Sequence, residues 1–264
     1  MAEAPTTLRI AAVGDLHCSR ASQGKLQPLF AEAARLADVL LLCGDLTDYG
    51  LPEEARLLAR ELEAAGRLPI LAVLGNHDHE SAQAPEILDV LRSAGVQMVE
   101  GEAVEVRGVG FAGAKGYGGG FGQRAIEPWG EDATKRFVQE AVQETLKLES
   151  GLARLGTAQR VAILHYAPIL ETVMGEPADL FPFLGSSRLE EPLNRYKVAA
   201  CFHGHAHRGR PEGRTATGIP VFNVALPVLK AAFPERPPLR VLELPVHPPF
   251  EEQRVGDRRI GAGR

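Results

Sequence analysis

Cysteine is scarce in this chain: three in 264 residues, widely spaced. An odd, scattered set makes no disulfide framework, which excludes a small secreted disulfide scaffold and makes a reducing cytoplasm the expected compartment. Long apolar runs are missing too. The densest, ADVLLLC, is short and meets Gly44-Asp45 at once, so no membrane span is expected. The first residues, MAEAPTTLRI, lack the basic start and apolar stretch of a secretory signal. Positive charge is also in short supply: a formal net charge of −5 excludes a large nucleic-acid surface, which carries a basic footprint. An anionic ligand would have to be drawn in by something local. What remains is ordinary, 45% hydrophobic and 24% charged, with core enough for one large α/β domain or two small ones.

The apolar runs LRIAAV (8–13), DVLLLC (38–43) and PILAVL (69–74) are short and continuous, as strands buried on both faces are. Between them, LQPLFAEAARLA (26–37) sets Leu26, Leu29, Phe30, Ala33 and Leu36 on one helical face. PEEARLLARELEAA (52–65) opens on Pro52 and two glutamates before Gly66, and PEILDVLRSAG (85–95) ends at glycine. This alternation predicts a parallel sheet covered by helices. VQMVEG, AVEVRG and VGFAG (96–113) predict short strands in a hairpin or meander, and a polar helix over about residues 132–155 follows. Later strands are expected at RVAILHY (160–166), VAACFHGHAH (198–207), IPVFNVAL (219–226) and LRVLELP (239–245), with a capping box at Ser187-Arg188-Leu189-Glu190. Residues 1–245 read as the folded domain, and the Pro- and Arg-rich tail 246–264 as loosely packed or disordered.

The chemistry-bearing residues sit at the ends of these strands: GDLH (14–17), GDLTD (44–48), GNHD (75–78), His165 in LHYAP, and GHAH (204–207). Ligands of open α/β sheets bind beyond the carboxyl ends of the strands, so these clusters should converge on one crevice. That brings Asp15, His17, Asp45, Asn76, His77, His165, His205 and His207 together. Hard oxygen donors mixed with imidazoles suit manganese, iron or zinc without any thiolate. They outnumber what one tetrahedral ion uses, so two divalent metal ions sharing a carboxylate are expected. The glycines before Asp15, Asp45, Asn76 and His205 are expected to make the sharp turns that aim them. His203 belongs to the H-x-H-x-H run, but Gly204 should break the geometry a ligand role needs; His79 and His247 read as surface histidines.

The ordered set D-x-H, GD, GNHD, H and GHxH, spanning Asp15 to His207, resembles the calcineurin-like metallophosphoesterase superfamily. The resemblance implies a single-domain α/β fold, a four-layer α-β-β-α sandwich of two mixed β-sheets flanked by helices. It implies that Asp15, His17 and His207 hold one metal, that Asn76, His165 and His205 hold the other, and that Asp45 bridges them. His77 would act on the substrate, and Asp78 would hold the His77 ring in the useful tautomer. The implied reaction is phosphoester hydrolysis by in-line attack of a metal-bridging hydroxide, with manganese or iron favoured and zinc an alternative. Where the protein-phosphatase branch carries GDxVDRG and GNHE, this chain has GDLTDYG and GNHD, so Tyr49 replaces an arginine. The motifs lie closer to class III cyclic nucleotide phosphodiesterases and small bacterial relatives. A phosphodiester of a small molecule, a nucleotide among the candidates, is therefore the leading substrate, with a phosphomonoester the alternative. A metal-binding scaffold without catalysis is the reading from another class.

Two insertions carry the expected specificity. GVGFAGAKGYGGGFG (108–122) lacks the G-x-x-x-x-G-K-[ST] arrangement and precedes no helix start, so it is not a phosphate cradle. Residues about 114–131 are expected instead as a mobile rim, with Lys115, Tyr117, Phe121 and Arg124 as substrate contacts. Residues 167–188, rich in bulky apolars, read either as a lid or as a sheet-edge or dimer cover, with Arg188 a phosphate contact. Homo-oligomerisation stays open on the same segment. The cysteines read as small buried hydrophobes, and a Cys18 that, nearest the mouth, makes activity sensitive to oxidation is the alternative.

Overall fold

The computed structural model describes residues 7–246; His247 and the tail beyond it lie outside that range. Two mixed sheets pack face to face. The first has the order β11-β1-β2-β3-β4, from Arg240–Pro245 (β11), Thr7–Val13 (β1), Val39–Cys43 (β2), Ile70–Val73 (β3) and Val96–Met98 (β4). β1 to β4 run parallel, and β11 closes the edge antiparallel to β1, Ile10 opposite Leu242. The second sheet has the order β5-β6-β7-β8-β10-β9, from Ala103–Val106 (β5), Val109–Ala114 (β6), Gln159–Leu164 (β7), Ala200–His203 (β8), Glu212–Arg214 (β9) and Pro220–Asn223 (β10). Its inner strands are parallel and its two edge strands antiparallel.

The apolar patterning accounts for the layers. β2 reads VLLLC and is buried at every residue, because helices cover one face and the second sheet covers the other. α1 (Gln27–Leu36), α2 (Pro52–Leu62) and α3 (Ala84–Ser93) lie outside the first sheet and contribute Phe30, Leu58, Ile87 and Leu91 to its core. β7 alternates: Val161 and Ile163 enter the inter-sheet core with Phe111, Phe202 and Phe222. Its Ala162 and Leu164 turn outward to meet Leu148 and Leu152 of α4 (Asp132–Ala153) and Leu193 of α6 (Glu190–Arg195). Fully buried side chains of this size contribute about 1.5–3 kcal/mol each.

Two expectations are corrected. The stretch 96–113 is not one meander: β4 joins the first sheet and the β5–β6 hairpin belongs to the second. IPVFNVAL does not continue as a strand through Leu226, where α7 (Leu226–Ala232) begins with Pro227 in its first turn. Among the described residues no helix is long and apolar enough to cross a membrane.

Candidate metal centre

β1, β2, β3, β7 and β8 all end at one side of the sandwich, and the residues just past their ends meet there. Four of them hold backbone conformations that L-residues avoid: Asp15 (φ 56°), His17 (43°), Asp45 (47°) and His205 (68°). Such positions cost about 1–3 kcal/mol each and persist only where surrounding bonds hold them. Here the bonds run between turns: Asp15 N–H to Gly44 O at 2.9 Å, His17 N–H to Asp45 O at 3.0 Å, and His205 N–H to the Asp15 carboxylate at 3.0 Å. The candidate donor residues therefore make the turns themselves, contrary to expectation. Of the four preceding glycines only Gly44 has a positive φ. The others serve close approach: a Cβ on Gly75 would stand 2.1 Å from Asp45 Oδ1, and one on Gly204 2.2 Å from Asp15 Oδ2.

In each of two groups, Asp15–His17–His207 and Asp45–His165–His205, the donor atoms lie within 4.8 Å of one another. His207 Nε2 is 2.9 Å from Asp15 Oδ1. His165 Nε2 lies 2.9 Å from Asn76 Oδ1 and 3.3 Å from Asp45 Oδ1. A third group, His17–Asp45–His77, adjoins both. The arrangement fits divalent cations on a specific observation: His17 Nε2 is buried with no hydrogen-bond partner, while its Nδ1 faces Asp48 Oδ1 at 3.3 Å. A histidine with one nitrogen on a carboxylate and the other orphaned is prepared to ligate a metal.

Burial and the neighbouring carboxylates set the imidazoles apart from one another. Burial alone would drive the proton from His165, but Asp45, by charge and hydrogen bond, and Asp15 lift it to about 9. Burial lowers His205 to about 3, with His165 adding to the effect. The hydrogen bond to Asp15 raises His207. His203 is wholly buried, bonded to Gly204 O and Thr172 Oγ1, and lowered to about 4 by burial; it stands outside the donor groups.

Asp78 does not touch the His77 ring, which corrects its expected role. Its buried carboxylate accepts from Leu46 N–H, Thr47 N–H, Thr47 O–H and Gly75 N–H, tying the GDLT turn to the GNHD turn. His77 is held instead by the backbone carbonyl of Asp48, 2.7 Å from its Nδ1, and its N–H donates to Asp45 Oδ1 at 2.9 Å. The sequence named Asp48 only as part of GDLTD; its pairing across to His17 and His77 is a product of the fold.

The expected substrate contacts separate. Lys115 and Tyr117 line a cavity beside Asn76. Phe121 packs with Ala167, Val173, Leu184 and Ala206 instead, and Arg124 stands exposed on a short turn. Arg188 clips a loop, its Nη2 donating to Ile126 O at 3.1 Å and to Glu127 Oε1 at 3.3 Å. The glycine-rich rim is built into the fold. Lys115 to Gly116 and Gly118 to Gly120 are buried, and Gly119 and Gly120 donate to Pro182 O and Gly185 O. A Cβ at Gly118 would meet Pro182 O at 2.6 Å, so glycine is there to let rim and lid touch. The 167–188 segment covers the centre from one side: Phe183 O lies 3.2 Å from His205 Nε2, Leu184 is buried and Phe181 half-buried, and Met174, Leu180 and Phe183 are exposed. Cys18 is 0% exposed and burial pushes its thiol up to about 12, so it is an inert core residue and the oxidation-sensitive alternative falls away.

Comparison with known proteins agrees with this geometry. The sequence profile of the calcineurin-like phosphoesterases matches residues 8–209. An uncharacterized protein of Methanocaldococcus jannaschii is 23% identical over 207 residues, 77% of this chain and 82% of its own. Among solved structures, phosphopantetheinyl hydrolase from Mycobacterium tuberculosis superposes with a TM-score of 0.65 at 14% identity, covering 98% of this chain and 99% of that one. A purple acid phosphatase from yellow lupin seeds gives 0.53 at 12% identity, over 84% of this chain and 44% of its own. These structural likenesses are likenesses of fold.

Proposed function

Because the chain belongs to the calcineurin-like phosphoesterases, a family of metal-dependent phosphoester hydrolases, we propose that it cleaves small phosphodiesters at a centre for two divalent ions. The observation that carries this reading is the orphaned, buried His17 Nε2 set among two donor groups. Asp15, His17 and His207 would hold one ion, and Asn76, His165 and His205 the other, with Asp45 between them. Bound there, the ions supply positive charge for phosphoryl oxygens and acidify a water. The local charge of such ions outweighs the distant acidic surface, which lets a chain of net charge −5 take an anion.

The chain's own groups do the rest. The Asp48 carbonyl accepts from His77 Nδ1–H, which orients the ring and leaves Nε2 free; when the ring is doubly protonated, Nε2–H would give its proton to the departing oxygen and leave the neutral imidazole behind. Asp45 Oδ1 accepts the His77 backbone N–H, which ties the GNHD turn to the candidate centre. Tyr49 is exposed and stands where the protein-phosphatase branch has arginine. It offers no cation for the second negative charge of a monoester, which favours the singly charged diester.

Hydrolysis of bis-p-nitrophenyl phosphate and p-nitrophenyl phosphate with added Mn²⁺, beside metal analysis of the same sample, tests the reading. Two metals per chain and faster diester turnover are expected. Faster monoester turnover would make it a phosphatase, and no turnover of either despite bound metal would make it a scaffold.

A further inference from the structure

A cavity of about 580 Å³ opens beside the candidate metal centre, with Asn76 and Tyr166 at its inner end. Tyr166 follows His165 directly, and its ring lies 4.3 Å from that of His205, so whatever fills the cavity lies next to the donor groups. One wall is aromatic: Tyr166, Tyr117 and Phe137 follow one another at ring separations of 5.8 and 5.1 Å. The other wall is charged. Glu144 is fully buried but already committed, accepting from Gly116 N–H and from Lys147. Lys115 and Glu100 are not committed in the same way.

Lys115 is only 7% exposed, yet its ammonium makes one hydrogen bond, to Gly116 O at 2.8 Å, and no ion pair among the described residues. It lies 4.9 Å from the Tyr117 ring centre and 5.4 Å from that of Tyr166. Two of its three protons are left for something in the cavity. Glu100 uses one carboxylate oxygen on Leu74 N–H at 2.6 Å and has the other to spare. Tyr166, also 7% exposed, makes no hydrogen bond through its hydroxyl to another described residue. These polar atoms face the open cavity, where the hydroxyls of a ligand can take the place of water as their partners.

We propose that this cavity binds the organic group of the ester, and that this group is a polyol: a sugar or sugar alcohol whose hydroxyls bond Lys115, Glu100 and the two phenols while its C–H face packs on Tyr117 and Phe137. The proposal rests on the phosphoesterase reading above. A hydroxyl both donates and accepts, and the less exposed part of the cavity presents an obligate donor, Lys115, an acceptor, Glu100, and two phenols that do either, while the exposed His79, Arg136, Glu140 and Lys147 line the rest. A planar base is less well suited, because the aromatic planes are tilted to one another by 43° and 55° and form no parallel slot. An alkyl chain would leave Lys115 and Glu100 unpartnered.

The test compares kcat/KM of the Mn²⁺-loaded protein on a hexose 6-phosphate, a glycerophosphodiester, a nucleoside phosphate, and the p-nitrophenyl mono- and diesters. A polyol ester is expected to match or exceed the p-nitrophenyl ester of the same charge, despite its poorer leaving group. That preference should fall about tenfold or more in Lys115→Met and in Glu100→Gln. Tyr117→Phe keeps the ring and drops only a hydroxyl, so it reads the pocket even if the Lys115 variant fails to fold; several-fold loss of the same preference is expected. Metal-dependent thermal shifts with the hexose phosphate should shrink in the same variants. If no ester of any kind is hydrolysed, the phosphoesterase reading fails. If esters are hydrolysed but a nucleoside or alkyl ester is preferred, or the three variants leave the polyol preference intact, the phosphoesterase reading stands and the polyol pocket is overturned.

Discussion

Removing the Asp48 carboxylate should weaken metal binding without disturbing the His77 tautomer, because the two contacts leave Asp48 through different atoms. The side chain reaches His17 Nδ1 at 3.3 Å, and the backbone carbonyl reaches His77 Nδ1 at 2.7 Å. Only the first is lost in Asp48→Ala. A carboxylate behind a ligating histidine fixes the ring and raises its basicity, and its loss typically costs about 10–100-fold in metal affinity. At about 1.4 kcal/mol per tenfold, that is about 1.4–2.8 kcal/mol. The Asp48 side chain is 30% exposed, so screened charge contributes modestly and ring orientation carries most of the effect. Asp48→Asn keeps an acceptor for the ring N–H and loses only the charge, which places it at the lower end of the range. Titration of metal-free protein with Mn²⁺ or Zn²⁺ by calorimetry, against a chelator of known affinity, reads the change. The reasoning is refuted if Asp48→Ala binds metal within about twofold of the parent while circular dichroism shows the parent fold.

Other consequences follow from the same geometry. Gly75→Ala drives a methyl into Asp45, 2.1 Å from Oδ1 and 2.2 Å from its N–H nitrogen. It should cost about 1–3 kcal/mol of stability and abolish binding of the second metal, checked by denaturant unfolding and metal counting; a variant with parental metal content would contradict it. The three thiols are buried, and burial raises Cys18 to about 12 and Cys43 and Cys201 as well. Native protein should therefore resist a disulfide-exchange reagent that titrates all three once it is unfolded, and rapid native labelling of any one would sink the assignment. Asp38 receives hydrogen bonds from Arg9 and an ion pair from Arg107 at 3.0 Å, and its carboxyl is held below the ordinary range, first by Arg9. A depressed carboxylate stabilises above its unfolded pKa of about 3.9, and that contribution is lost as pH falls through the lower folded value. Asp38→Asn should thus cost about 1 kcal/mol at pH 7, and the gap to the parent should close as pH falls through the depressed folded value, below the ordinary carboxylate range; a pH-independent gap would show the charge to be irrelevant.

How much the sequence revealed depended on how local each signal was. The positions of the candidate donor residues were legible because each follows a run such as VLLLC or VAIL that reads as a buried strand, and residues past the carboxyl ends of parallel strands gather on one side, here from β1, β2 and β3 of one sheet and β7 and β8 of the other. What aims them was not legible. Gly75 and Gly204 matter through atoms of Asp45 and Asp15, which lie 30 and 189 positions away, so the strained turns could not be assigned to the ligands themselves. Asp78 shows the same limit from the other side. Its neighbour in sequence is His77, and adjacency invited a pairing that the short helical turn at His77–His79 prevents by sending the carboxylate inward to the GDLT turn. The specificity region was least legible. A stretch of glycines with one lysine implied mobility and exposure, whereas its glycines are there to let two loops touch, and Lys115 ends up beneath Tyr117 and Tyr166. A residue's chemistry toward a distant partner was readable wherever strand order dictated the partner, and unreadable wherever loop packing did. The convergence of the candidate donor residues lies in the first category, and the cavity beside them lies in the second.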